Sequence, residues 1–143
     1  MHSFVNLRFF NLSHNALGCD SGSDFQDNFS RLLLLEDINV SHNTLRGINP
    51  LAFERCTRTK RISLANNELT DLDLNMDSLI DLEYIDLSGN RLLSLSDTFM
   101  SKLDEMVHVR PLAVDLQREM FMCNCDTLSF VRGTRVTHVQ LVS

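Results

Sequence analysis

Leu82-Glu83-Tyr84-Ile85-Asp86-Leu87-Ser88-Gly89-Asn90-Arg91-Leu92 places apolar residues at its first, fourth, sixth and eleventh positions and an asparagine at its ninth. The same pattern stands earlier in the chain: Leu7, Phe10, Leu12, Asn15 and Leu17; Leu35, Ile38, Val40, Asn43 and Leu45; Thr59, Ile62, Leu64, Asn67 and Leu69. The asparagines lie 28, 24 and 23 residues apart. A helical stretch would repeat its apolar residues near every 3.6 positions, whereas these alternate and then meet an asparagine, the pattern of a short strand followed by a corner.

Recurrence at this period and spacing predicts a leucine-rich-repeat architecture. The expected fold class is an α/β repeat: a solenoid with a concave parallel β-sheet and an irregular or short-helical convex side. Each asparagine should be buried at a corner, where its amide donates and accepts toward backbone of adjacent turns. Phe29, Phe53 and Met76 each fall six residues before the next opening position, with Leu32, Cys56 and Leu79 midway, and these should form the convex column of the core. Gly18 to Asn28, rich in Ser, Asp and Gly, reads as a surface loop. The predicted division is residues 1–110 as about four repeat turns with a helical insertion near 97–109, and residues 111–143 as a last strand with an incomplete cap.

With 143 residues, 43% of them hydrophobic, the chain can build one continuous core. Nineteen acids face 13 bases, a formal charge of -6, and residues 102–143 hold equal numbers of each, so the excess acid belongs to the repeats. That balance gives no specific nucleic-acid signal and disfavours unspecific binding to anionic surfaces. Met1 to Phe10 lacks the basic start and long apolar core of a signal peptide, and no run approaches the roughly 20 apolar residues that span a bilayer. The first repeat begins without an evident cap, so the chain is expected to be a fragment of a longer protein.

Phe99, Leu103, Met106 and Val107 share a helical face, with Asp97 or Thr98 as the expected cap. A fifth phrase follows, Pro111, Val114, Leu116 and Phe121, with Glu119 where the asparagine should stand, so the ladder is expected to break there. It runs into Cys123-Asn124-Cys125 and then Phe130-Val131-Arg132-Gly133.

Asp115-Leu116-Gln117-Arg118-Glu119-Met120-Phe121-Met122-Cys123-Asn124-Cys125 resembles the end of the ectodomain repeats in the Toll-like receptor family, which reads Asp-Leu-x-x-Asn-Pro-Phe-x-Cys-x-Cys before a Phe-x-x-Trp. Glu119-Met120 replaces the family's Asn-Pro, Gly133 its tryptophan, and two later cysteines have no counterpart. The resemblance implies that Cys123 and Cys125 are cap cysteines, each pairing with a downstream cysteine in that family. It also implies an innate immune pattern-recognition ectodomain fragment, on the outer face of the plasma membrane or in an endosome, whose parent crosses the membrane once. A protein or microbial ligand and receptor homo- or heterodimers are the implied partners, with Glu83 to Gln117 near the pairing surface. A structural or adaptor scaffold, extracellular or intracellular, is the alternative.

No nucleophile phrase, phosphate-binding glycine loop or metal-ligand spacing accompanies the repeats, so neither catalysis nor a cofactor is expected. Cys56 reads as a small buried apolar residue, while Cys19 lies in the first loop, where a bridge to Cys56 has no spacing argument. His14 and His42 precede their asparagines at the same phase and are expected to be solvated loop residues; the shared phase also allows contact across two turns, where a protonated pair would repel. The outward strand positions bring Phe9, Lys60, Arg61, Tyr84 and Asp86 to the concave side as candidate contacts, with charges alternating from turn to turn and able to neutralise one another. Asn11, Asn28 and Asn39 begin Asn-x-Ser glycosylation acceptors, although at 11 and 39 the triplet also suits a strand end.

Overall fold

The computed structural model describes residues 6–17, 29 and 32–119. Five short strands, β1 (Phe9–Asn11), β2 (Asp37–Asn39), β3 (Arg61–Ser63), β4 (Tyr84–Asp86) and β5 (Ala113–Asp115), form one parallel sheet in chain order. Register is kept throughout: Phe10, Ile38, Ile62, Ile85 and Val114 occupy one row. From Ile38 to Val114 that row is buried, because alternate side chains of a strand point to one side and here that side is the core. The neighbouring rows, Phe9 to Ala113 and Asn11 to Asp115, face the concave surface.

Phe29, Phe53, Met76 and Phe99 run as a buried column behind the sheet, and Leu32, Cys56, Leu79 and Leu103 lie beside it. Phe10 meets Phe29 edge-on with ring centres 5.3 Å apart, and Phe29 meets Phe53 at 5.4 Å, so the core passes from turn to turn through ring contacts. In the fourth turn the convex side becomes helix α1 (Asp97–Val109), which buries Phe99, Leu103 and Met106. Neither Asp97 nor Thr98 caps it. Ser96 does, its hydroxyl accepting from the Phe99 amide, and both Ser96 and Thr98 donate to Asp73 in the preceding turn at 2.8 and 3.0 Å. The cap is therefore tied to the solenoid before the helix begins.

The first turn departs from expectation. Asn15 is exposed and donates only within its own turn, to Leu12 and Ser13 carbonyls. Phe10 and Leu12 are half-buried where their equivalents in later turns are sealed. Burial at a rung requires a preceding turn to lie against, and none of the described residues supplies one there. Cys19, Asn28, Cys123, Cys125 and the Gly18 to Asn28 stretch lie outside the described residues.

Candidate functional site

The concave face rests on a ladder of side-chain amides. Asn43 donates to the carbonyls of Leu12 and Val40, both at 3.0 Å, and its carbonyl oxygen accepts from the Leu17 amide. Asn67 repeats this with Val40, Leu64 and Leu45, and Asn90 with Leu64, Leu87 and Leu69. All three asparagines are 6–7% exposed. Only a group that both donates and accepts can do this, which is why asparagine recurs.

Glu119 does not break this ladder. It is 1% exposed, and its two carboxylate oxygens accept from the backbone amides of Asn90 and Leu92 in the preceding turn. The Leu92 bond is the equivalent of Leu69 to Asn90, so the acceptor half of the rung survives and the side chain's extra methylene lets it reach a further amide. Desolvation pushes the Glu119 carboxyl above its ordinary value, opposed by those two backbone bonds.

The residue before each rung is the feature sequence reasoning missed. His14, His42, Asn66, Gly89 and Arg118 all adopt the left-handed region, with φ from 52° to 67°. There each of the first four donates its amide to the following turn. Asn66 and Gly89 are residue types that favour this conformation, and they were the clearest available signal. His14 and His42 are exposed but not independent loop residues: their rings stack with centres 4.1 Å apart and planes 11° apart, and the Asn66 amide lies 3.4 Å from His42 Nε2.

On the concave surface the alternating charges find partners. Arg8 meets Glu36 at 3.6 Å and Arg61 meets Asp37 at 2.8 Å. These exposed pairs each contribute little, about 0–1 kcal/mol, but they leave less free charge for a ligand. Lys60 precedes β3 beside Glu36 and Glu83 of the adjoining turns, and has no ion pair among the described residues. Phe9 is 65% exposed at the edge strand. Tyr84 is half-buried, and its phenol is pushed up first by burial and then by Asp86 and Asp115. Asp86 spends one carboxylate oxygen on the amide and hydroxyl of Ser88, at 3.0 and 2.7 Å.

Asn39 makes the same pair of bonds to Ser41, and Asn11 accepts from the Ser13 amide. The shared geometry with Asp86-Leu87-Ser88, which cannot carry a sugar, accounts for both Asn-x-Ser triplets as strand-end turns. Cys56 is fully buried, with its Sγ 3.8 Å from the Phe29 carbonyl. Burial pushes its thiol up to about 11, against a smaller opposing effect of Thr59. Among the described residues no group of three or more His, Cys, Asp or Glu could hold a metal, and no helix is long and apolar enough to cross a membrane.

Parallel strands, convex column and amide ladder together define a leucine-rich-repeat solenoid, and residues 34–92 match the Leucine rich repeat family. The chain is 30% identical over 116 residues to Toll-like receptor 5 of Homo sapiens, covering 80% of this chain and 12% of that protein. It is 34% identical over 110 residues to the receptor protein-tyrosine kinase CEPR1 of Arabidopsis thaliana, covering 74% of this chain and 11% of that protein. The chain thus spans only a small part of either relative. A solved octameric complex of Latrophilin 3, Unc5D and FLRT2 aligns with a TM-score of 0.59 and 20% identity over 96% of this chain and 49% of that one, a likeness of fold. The chain is a leucine-rich-repeat interaction module similar to parts of receptors, and no catalytic family is indicated by the match.

Proposed function

We propose that this module is a recognition segment of an innate immune receptor's ectodomain, acting outside the cell or in an endosome, binding a protein or microbial ligand without catalysis. The observation that carries the reading is the concave sheet itself. It holds an in-register surface on which Phe9 is exposed and Tyr84 half-exposed, with the pairs Arg8–Glu36 and Arg61–Asp37 beside them. Aromatic anchors surrounded by satisfied polar groups are what protein interfaces use, since they desolvate cheaply and keep few rotamers to lose. Similarity to Toll-like receptor 5 supports the immune reading, as does the cysteine phrase at Cys123 and Cys125. In this reading Lys60, Arg61 and Asp86 supply polar contacts, and the Glu83 to Gln117 end meets a paired receptor.

The test is surface plasmon resonance against a panel of purified secreted and microbial surface proteins. Binding that is lost in Phe9→Asp and Tyr84→Ala but kept in the convex variant Ile80→Asp supports the proposal. Binding indifferent to both concave changes, or abolished by Ile80→Asp, overturns it. The rival reading, an intracellular adaptor scaffold, is distinguished by thiol state: Cys123 and Cys125 of the protein taken from its native cells would be reduced.

A further inference from the structure

The strand-end carbonyls reveal what the fifth rung lacks. Leu12 O accepts from Asn15 and Asn43, Val40 O from Asn43 and Asn67, and Leu64 O from Asn67 and Asn90. In each case the rung of the same turn and the rung of the next turn both donate. Among the described residues Leu87 O accepts from Asn90 alone, at 2.8 Å, because the next rung is Glu119, whose two oxygens are both occupied as acceptors. An ionised carboxylate has no proton to offer.

We propose that Glu119 is an acid-closed latch between the fourth and fifth turns: on taking a proton it becomes the donor-and-acceptor group that asparagine is at the other buried rungs. One oxygen keeps the Leu92 amide, as Asn90 Oδ1 keeps Leu69. The other, now a hydroxyl, releases the Asn90 amide and donates to Leu87 O, the bond that Asn43, Asn67 and Asn90 each make to their preceding turn. The only covalent change is the gain of one proton from solvent; one hydrogen bond, from the Asn90 amide, is exchanged for another, to Leu87 O.

Among the described residues, no cation pairs with the carboxyl. From the fourth turn the charged neighbours are Asp86, turned to Ser88 on the concave face, and Arg91, which meets Glu68 at 3.6 Å. From the fifth they are Asp115, whose oxygen accepts from the Gln117 amide, and Arg118, which is exposed. Helix α1 turns its charged groups elsewhere: Lys102 pairs with Asp77 and Glu105, and His108 with Asp104. None of these cations pairs with Glu119, and burial raises its pKa above the ordinary glutamate value. An acid whose folded value is raised binds its proton more tightly folded than unfolded. Its contribution to stability is fully present below the unfolded value and is lost as pH rises through the folded one.

The test is amide hydrogen exchange by NMR on the whole chain, corrected for intrinsic rates, following Leu92 with Leu69 as the control rung. Across the titration of Glu119, protection of Leu92 should rise by up to about tenfold per unit of acidification, the slope of a single proton, while Leu69 shows no such rise. Glu119→Gln, a permanently neutral donor and acceptor, should remove the dependence. Protection of Leu92 that falls in acid, or a rise that survives in Glu119→Gln, overturns the proposal. Should the glutamine variant not fold, the carboxyl carbon shift of Glu119 in the unmodified chain decides: titration above the ordinary glutamate range supports the latch, and titration within that range overturns it.

Discussion

Gly89 faces Asn66 so closely that a β-carbon added to the glycine would lie 2.6 Å from Asn66 Oδ1. Gly89 also has φ +67°, so an L side chain there meets both an unfavourable backbone conformation and a neighbour. Gly89→Ala should therefore destabilise the module by about 2–4 kcal/mol, of which roughly 1–2 is the left-handed backbone cost. Adding Asn66→Gly should recover the contact part and leave the backbone part. Urea unfolding of the two single variants and the double variant measures this, and their effects should be non-additive.

Asn67→Ala and Asn15→Ala change the same residue type at equivalent positions in different turns. The first leaves the Leu45 amide without its acceptor in a buried place, with an expected loss of about 2–4 kcal/mol. The second removes an exposed side chain bonded only within its own turn, and should cost less than about 1 kcal/mol. Denaturant midpoints compared at constant slope give the answer.

Ser96→Ala should cost about 1 kcal/mol, the usual worth of an N-cap. Its signature should be local. Exchange protection should fall at the start of α1, where the Phe99 amide loses its acceptor, and Asp73 should lose one of its two hydroxyl donors.

Alkylation of Cys56 should need unfolding. The thiol is fully buried and its pKa is pushed up to about 11, so near neutral pH the thiolate is scarce and out of reach. In the folded protein iodoacetamide should leave Cys56 unmodified while modifying it in denaturant; mass spectrometry of the peptide carrying Cys56 reads the outcome.

Strand positions were legible because inward residues recur at Phe10, Ile38, Ile62, Ile85 and Val114, and a period of two admits one facing. The column behind them was legible for the same reason. The cap of α1 was not: Ser96, Asp97 and Thr98 are consecutive residues able to cap, and it is Ser96 whose hydroxyl meets the Phe99 amide, while that hydroxyl and the one of Thr98 also reach Asp73 in the preceding turn. Likewise the left-handed position is hidden at Arg118, whose type does not announce it, although Gly89, Asn66 and, more weakly, His14 and His42 do. Glu119 looked like an interruption because residue type was weighed without reach; one more methylene lets a carboxylate meet both amides.

In the amide ladder, every inter-turn bond of Asn43, Asn67, Asn90 and Glu119 runs to the turn before it. The solenoid therefore has a direction of dependence. A turn is finished by its successor, so a defect at one rung should loosen the coil upstream of it before the coil downstream. Losing a turn strips side-chain amide partners from the turn before it and takes burial from the turn after it, so the two ends of a break should fray differently.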